Sequence, residues 1–230
     1  MPRARSKKQD DWQTAALYEN GSGCLSLYSL SLLAVFLIIC FVTFVALNAP
    51  IRTAAASPIL QTDSTNISPI FTQEVQHWAA DITRWANASA LDPNLVAVIL
   101  QIESCGNPFA RSSAGAMGLF QVMPFHFRFG ENPYDPETNA LRGLGYLVRS
   151  LQTANGDERL ALAGYNGGLG VISRYEWTWQ AETKRYVYYG APIYEDARSG
   201  AASSPMLDEW YRRYGAGLCR DASQRLGLNN

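Results

Sequence analysis

The chain has 230 residues and carries 19 Lys and Arg against 20 Asp and Glu, for a formal net charge of −1. Hydrophobic residues make up 47% and charged residues 17% of the sequence, which excludes a disordered chain and a charged coiled coil. The balanced charge argues against nucleic acid as a partner. The two histidines, His77 and His126, lie 49 residues apart, so we expect no metal centre, and no motif indicates a cofactor.

Residues 25–47 form an uncharged, strongly apolar stretch of 23 residues. As a helix, this stretch would be ~35 Å long, enough to cross a lipid bilayer. Four of the first eight residues are Arg or Lys, whereas Arg52 is the single basic residue among the 20 that follow the stretch. The charge bias predicts a cytoplasmic segment 1–24, a transmembrane helix 25–47 and an extracytoplasmic remainder. A cleaved signal peptide is the alternative, with Ala54–Ala56 as a possible cleavage site.

Composition divides the remainder into three parts. Residues 48–70 contain three prolines among small polar residues and show no helical or strand period, so they predict a flexible linker. Residues 71–190 have the length and apolar content of a folded domain, and residues 191–230 form a C-terminal extension. Cys105 and Cys219 lie in the part expected outside the membrane. There they could form a disulfide or remain free thiols, and the sequence does not decide between these.

The folded domain is predicted to be mainly helical. Apolar residues recur at helical spacing over residues 71–90, which predicts an amphipathic helix there. Asp92-Pro93 is a typical helix start, and it opens a run that is apolar nearly all round and ends at Glu103. Two further helices are predicted to begin at Asp135-Pro136 and Asp157, the second ending at Gly167-Gly168. The expected inward face of the first of these comprises Leu141, Leu144, Val148 and Leu151.

Glu103 is the candidate catalytic residue. A carboxyl group at the end of an apolar helix lies in a low-dielectric setting that raises its pKa. A protonated carboxyl near neutral pH can act as the general acid in glycosidic bond cleavage. The alternative is a glutamate turned to solvent or paired with a cation such as Arg111.

Four segments around Glu103 resemble the motifs of the soluble lytic transglycosylase family, which is lysozyme-like (α+β) and related in fold to goose-type lysozyme. Residues 103–124 closely resemble its catalytic region, 135–147 its middle helix, 162–168 its Ala-Tyr-Asn-Ala-Gly motif, and 182–187 its Glu-Thr-x-x-Tyr-Val motif. The four occur in the family's order and cover about residues 90–190. Departures from the family pattern are Phe120, Gly164, Gly167 and Leu169.

The resemblance implies a role for six residues. Glu103 matches the single catalytic glutamate. The substrate-binding or positioning residues implied are Ser104, beside the acid; Gln121, lining the cleft; Tyr165 and Asn166, at the floor of the sugar site; and Tyr186, whose hydroxyl approaches the catalytic carboxyl.

The resemblance also implies an activity: non-hydrolytic cleavage of peptidoglycan glycan strands between N-acetylmuramic acid and N-acetylglucosamine, giving 1,6-anhydro ends. No metal or cofactor is required for it. Two alternatives remain, a hydrolytic muramidase of the same fold and a glycan-binding or scaffold module without activity. The sequence names no protein partner.

Overall fold

The structure is a computed structural model that describes residues 67–228, and in this range it is built from α-helices. The mainly α prediction is confirmed: within 67–228 extended pairing is limited to two isolated bridges, Arg111 with Met117 and Met117 with Val122. The predicted segments 1–24 and 25–47 lie outside the described residues. Within 67–228, none of the helices combines the length and apolarity that a bilayer crossing requires. The helices are α1 (Gln73–Gln76), α2 (Ala79–Ala88), α3 (Pro93–Glu103), α4 (Pro136–Thr153), α5 (Glu158–Gly167), α6 (Ala181–Arg198), α7 (Pro205–Trp210) and α8 (Ala216–Leu226).

Helix α3 is the centre of the core. All its residues from Leu95 to Gln101 are at most 1% exposed, as predicted for a helix that is apolar all round. It packs against α2 and α6, and α5 packs against α4 and α6. The helix is therefore held on several sides, and its last residue, Glu103, is fixed in position by the core.

The three predicted aspartate helix starts are confirmed. Asp92, Asp135 and Asp157 accept hydrogen bonds from backbone amides of the first turns of α3, α4 and α5 at 2.8 Å each. Such caps satisfy amide groups that have no partner inside the helix. Asp92 also accepts a hydrogen bond from the Tyr194 hydroxyl at 2.9 Å, which ties the start of α3 to α6.

Two helical predictions need correction. The helix expected over 71–90 is broken at His77–Trp78. At this break, the Trp78 indole donates a hydrogen bond to the Gly106 carbonyl at 2.9 Å. In α4, Leu141 is 66% exposed and does not belong to the inward face. That face is formed by smaller or neighbouring residues, namely Asn139, Ala140, Gly143, Leu144, Leu147 and Ser150.

A single buried side chain organises the long loop between α3 and α4. Asn139 accepts a hydrogen bond from the Phe120 amide and donates to the carbonyls of Met117 and Pro133, all at 2.8 Å. A Cβ atom at Gly118 would lie 2.3 Å from the Asn139 amide nitrogen. Gly118 also has φ +77°, a conformation that favours glycine. The loop therefore depends on this Asn139 contact.

The folded part extends into both flanking segments. Ile67 and Ser68, which composition assigned to the linker, are buried, and the Ser68 amide donates to Asn94 at 2.7 Å. Helix α6 continues past residue 190, and the extension folds into α7, a π-helical turn at Tyr211–Gly215 and α8. Trp210, Cys219 and other residues of the extension are part of the core.

Cys105 and Cys219 form a disulfide across 114 residues of sequence, which decides the question the sequence left open. The bond joins the turn directly after Glu103 to α8. Cys105 and Gly106 adopt positive φ values of +49° and +85°, and a Cβ atom on Gly106 would lie 2.8 Å from the Glu74 carbonyl oxygen. The turn is therefore tight, and the disulfide ties the C-terminal extension to it.

We predict that Cys219→Ser lowers the free energy of unfolding by about 2–5 kcal/mol, because the open chain regains the entropy that the bond removed. Chemical denaturation of the purified protein measures the change. Reductant should lower wild-type stability to the variant's value and leave the variant unchanged. Equal stability of the two proteins without reductant would contradict the prediction.

A pair of glycine variants tests the Asn139 contact. Gly115 has φ +93° and open space around it, so Gly115→Ala should cost about 1–2 kcal/mol from backbone conformation alone. Gly118→Ala adds a clash with Asn139 and should cost about 1–3 kcal/mol more. Thermal unfolding of the two variants gives the difference. Equal losses would show that the loop does not depend on the close approach.

Candidate active site

Glu103 ends α3 and lies on the wall of a cavity of about 180 Å³. Its side chain is half-buried. The pKa of the Glu103 carboxyl is raised from 4.5 to about 8: desolvation is the largest cause, the Tyr186 hydroxyl opposes it, and the charge of the neighbouring Glu182 adds to it. Burial penalises the charged form of a carboxyl group, so Glu103 is mainly protonated at neutral pH. A protonated carboxyl that reaches a cavity can donate a proton to a ligand there.

The Tyr186 hydroxyl favours the charged form of Glu103 and so lowers the pKa of that carboxyl. Tyr186 is buried on α6, and burial followed by the charge of Glu103 raises the pKa of its hydroxyl well above 10. The hydroxyl lies close enough to Glu103 to lower the pKa of its carboxyl. It nevertheless forms no hydrogen bond of ordinary geometry with any atom of residues 67–228. It therefore remains a neutral donor available beside Glu103.

Ser104 is turned away from the cavity. Its side chain is fully buried, and its hydroxyl donates to the Leu119 carbonyl at 2.7 Å and accepts from the Gly106 amide at 3.1 Å. These bonds join the end of α3 to the loop that carries Gln121. In this structure Ser104 holds the backbone next to Glu103 and does not face the space where a ligand would lie.

Gln121 follows a tight turn of that loop. Its backbone has φ +46°, and its side-chain amide donates to the carbonyls of Gly118 at 2.9 Å and Ala110 at 3.2 Å. These contacts hold the side chain against its own loop. It lines a second cavity, of about 270 Å³, together with Tyr165 and Asn166.

Tyr165 and Asn166 lie near the end of α5, just before the Gly167-Gly168 stop. The Tyr165 hydroxyl donates to the Phe120 carbonyl at 2.7 Å, and its pKa is raised well above 10 by burial and by Glu103. The side-chain oxygen Oδ1 of Asn166 accepts a hydrogen bond from the Thr183 hydroxyl at 3.0 Å. This bond orients the Asn166 amide, whose NH₂ group makes no hydrogen bond with the described residues.

Asn166 lies on the wall of three neighbouring cavities, which together are called the groove below. It lines the Glu103 cavity, the Gln121 cavity, and a further cavity of about 180 Å³ beside Arg174 and Thr178. The structure therefore brings Glu103, Tyr186, Asn166, Tyr165 and Gln121 to these neighbouring cavities, from segments that are distant in sequence. Of the six residues singled out by sequence, Ser104 alone does not line them.

Glu182 was not among the candidate residues, and the structure places it on the wall of the Glu103 cavity. Its charge raises the pKa of Glu103, so the two carboxyl groups are close enough to interact. Its position four residues before Tyr186 could have indicated this, because residues at this spacing share a helix face. His126 and Tyr146, with ring centroids 4.9 Å apart, line the Gln121 cavity; neither was among the candidate residues, although Tyr146 lies in the matched segment 135–147.

A separate cluster contains potential metal ligands. Ligand atoms of Glu74, Cys105 and Cys219 lie within 4.8 Å of one another. The two sulfurs are joined in the disulfide, so neither is available as the thiolate that a metal ion would require. The cluster is therefore structural.

Comparisons with known proteins show which proteins this chain is similar to. Residues 81–187 match the family model of the transglycosylase SLT domain. Similar proteins include a transglycosylase of Enterobacteria phage PRD1, 43% identical over 42% of this chain and 35% of the phage protein. Others are the membrane-bound lytic murein transglycosylase E of Buchnera aphidicola, 31% identical over 32% of this chain and 39% of the relative, and transglycosylase C of Haemophilus influenzae, 34% identical over 40% of this chain and 32% of the relative.

A solved structure of an inactive mutant of the lytic transglycosylase Slt from Pseudomonas aeruginosa aligns with a TM-score of 0.45 and 26% identity, over 59% of this chain and 26% of that one. The chain spans about two fifths or less of the length of the curated relatives named above. The match over 81–187 includes Glu103 and every residue singled out from the sequence. Residues 81–187 are therefore similar to a transglycosylase SLT domain.

Proposed function

We propose that this protein is a peptidoglycan lytic transglycosylase. It cleaves the β-1,4 bond between N-acetylmuramic acid and N-acetylglucosamine without water and leaves a 1,6-anhydro end. The observation that carries the proposal is the Glu103 carboxyl, whose pKa is about 8 and which reaches a groove within an SLT domain. A single carboxyl that is protonated at neutral pH can first donate a proton and then accept one.

In the first step, Glu103 donates its proton to the glycosidic oxygen. The bond between that oxygen and the anomeric carbon breaks, and the N-acetylglucosamine part leaves as an alcohol. The carbonyl oxygen of the substrate's own acetamido group attacks the anomeric carbon and carries the positive charge. Glu103 is left as a carboxylate, stabilised by the nearby Tyr186 hydroxyl.

In the second step, the Glu103 carboxylate removes the proton of the muramoyl 6-hydroxyl. That oxygen attacks the anomeric carbon, displaces the acetamido oxygen and closes the anhydro ring. Glu103 regains its proton, so the cycle consumes no water and requires no metal. In this proposal the free NH₂ group of Asn166 binds an acetamido carbonyl of the substrate, and Gln121 and Tyr165, which line the neighbouring cavity, shape the adjacent sugar site.

We further propose that the enzyme acts at the outer side of a membrane to which residues 25–47 tether it. The apolar stretch and its basic flank support this proposal, and two of the similar proteins bear names that describe them as membrane-bound. The disulfide suits an oxidising compartment outside the cytoplasm.

A hydrolytic muramidase is the second candidate, because Glu182 shares the Glu103 cavity. Ordinary glycosidases use two carboxyl groups, one as acid and one as base or nucleophile. If Glu182 activated a water molecule, the product would keep a reducing end. The two reactions are therefore distinguished by the mass of the product.

We predict that the purified protein releases muropeptides that are lighter than hydrolytic products by one water, and that Glu103→Gln lowers the rate about a thousandfold by removing the proton donor. Mass spectrometry of the soluble products measures both. Glu158→Gln, a half-buried glutamate on α5 outside the groove, is the matched control and should keep full activity. Products at full mass would indicate a muramidase. Sedimentation with the glycan without any release would indicate a binding module.

The pH dependence of kcat/KM on a soluble glycan provides a separate test. Activity requires protonated Glu103, so we expect it to fall as the pH rises through about 8. Glu182→Gln removes a charge that raises this pKa and should move the decline to lower pH. Tyr186→Phe removes a hydroxyl that lowers it and should move the decline to higher pH. If neither variant shifted the pH at which activity declines, the decline would be caused by a titrating group other than Glu103.

A further inference from the structure

The disulfide between Cys105 and Cys219 lies between Glu103 and the C-terminal extension. Cys105 follows Glu103 by two residues, and Cys219 is on α8. Both cysteines are fully buried. The side-chain amide of Gln101, on the last turn of α3, donates to the Cys105 sulfur at 3.1 Å. The bond is therefore in contact with the end of the helix that carries Glu103, and a change in the bond can reach the carboxyl.

The first route from the bond to Glu103 runs through the backbone. Cys105 has φ +49°, a left-handed conformation that residues other than glycine rarely adopt. Gly106 follows with φ +85°, and a Cβ atom on it would lie 2.8 Å from the Glu74 carbonyl oxygen. The covalent bond helps to hold this strained turn. When the bond opens, Cys105 can relax toward an ordinary conformation and displace Glu103, two residues earlier.

The second route runs through the wall of the Glu103 cavity. Trp210, the last residue of α7, and Tyr214, in the π-helical turn, line this cavity. The Arg185 guanidinium of α6 lies 5.1 Å from the centre of the Tyr214 ring. The π-helical turn leads directly into α8, which carries Cys219. The disulfide therefore anchors the segment that supplies this wall.

Noncovalent contacts also hold α8 in place. The helix packs against α1 and the π-helical turn. One turn after Cys219, the Ser223 hydroxyl donates to the Glu74 carboxylate of α1, and this carboxylate lies within 4.8 Å of both sulfurs. These contacts connect α8 to α1, whereas the disulfide connects it covalently to the turn after Glu103. Once the bond is open, the wall that precedes α8 can shift relative to Glu103.

We infer that the bond between Cys105 and Cys219 is a redox switch on catalysis, an inference that rests on the proposed function. The enzyme is active when the bond is closed and loses most of its activity when a dithiol reductant opens it. A thiolate of the reductant attacks one sulfur and the other sulfur leaves; the second thiol of the reductant then closes its own disulfide. Two electrons and two protons thus convert the bond into two thiols. The chain therefore becomes active in an oxidising compartment, where such a bond persists.

The test compares the full chain with the bond closed and with the bond opened by dithiothreitol, at a temperature where circular dichroism shows both forms to be folded. Because both cysteines are buried, the reductant is added in mild denaturant that is then diluted away. Alkylation of the thiols and mass spectrometry verify the state of the bond. We expect reduction to lower the initial rate on purified peptidoglycan by about 10- to 100-fold, as a small displacement of a catalytic group does. Reoxidation with oxidised glutathione should restore the rate.

The pH dependence of kcat/KM distinguishes a switch from a loss of stability. If the wall shifts, water reaches Glu103 and its carboxyl is less desolvated, so the decline of activity on the alkaline side should move to lower pH by about one unit. A loss of folded protein alone would lower the rate and leave the decline at the same pH. The other charged or titratable groups that line this cavity or interact with Glu103 are the same in both forms: Tyr165, Glu182, Arg185, Tyr186, Tyr189 and Tyr214.

Three variants serve as controls. Cys24→Ser/Cys40→Ser removes the other two cysteines of the chain and should respond to the reductant as the wild type does. Ser223→Ala removes the hydrogen bond to Glu74 but keeps the disulfide, so it should keep both the wild-type rate and the response. Cys219→Ser should have the low rate with or without reductant. If Cys219→Ser does not fold, the reduced wild type decides the question.

A reduced wild type that keeps its full rate, with both thiols verified, would overturn the inference. A lower rate with an unmoved alkaline decline would overturn it too, because the bond would then act on stability alone. A folded Cys219→Ser with the rate of the oxidised wild type would have the same meaning. If the oxidised wild type released no product, the proposed function would be refuted, and the switch on catalysis with it.

Discussion

The structure depends on the burial of α3. The helix is apolar on every side and fills the centre of the core, so its C-terminal residue has one fixed place. Glu103 occupies that place and reaches the groove from within the protein, where desolvation raises its pKa to about 8. The apolar packing that stabilises the domain is thus also the physical cause of the carboxyl's protonation.

The remaining features hold the groove around that carboxyl. Ser104 joins the end of α3 to the Leu119 carbonyl. Asn139 fixes the loop that carries Gln121, and the Thr183 hydroxyl orients the Asn166 side chain. These are hydrogen bonds of buried side chains, which rigidify a site when every partner is satisfied. Tyr186 is the exception, since its hydroxyl has no partner among the described residues. A buried polar group left unpaired beside Glu103 is consistent with a site in which a ligand completes the arrangement.

Local rules were enough to predict α3, α4 and α5, but not α6, which carries Tyr186 and Glu182. The aspartate caps and the fully apolar run set the bounds of α3, and the glycine pair ended α5 as expected. The break at His77–Trp78 and the exposure of Leu141 depend on tertiary contacts that no local period encodes. Glu182 was missed although its spacing of four residues from Tyr186 places both side chains on one face of α6. Gly164 is explained by the structure alone: a Cβ atom there would lie 2.3 Å from the Ser150 hydroxyl.

The central claim is that burial at the end of α3 keeps Glu103 protonated at neutral pH. It is tested most directly by following the side-chain carboxyl carbons of ¹³C-labelled glutamate by NMR between pH 4 and 10, in the wild type and in Glu103→Gln. The account predicts one resonance that titrates near pH 8 and is missing from the variant. If every glutamate resonance in the wild type titrated below about pH 6, Glu103 would be ionised at neutral pH and the account would be wrong.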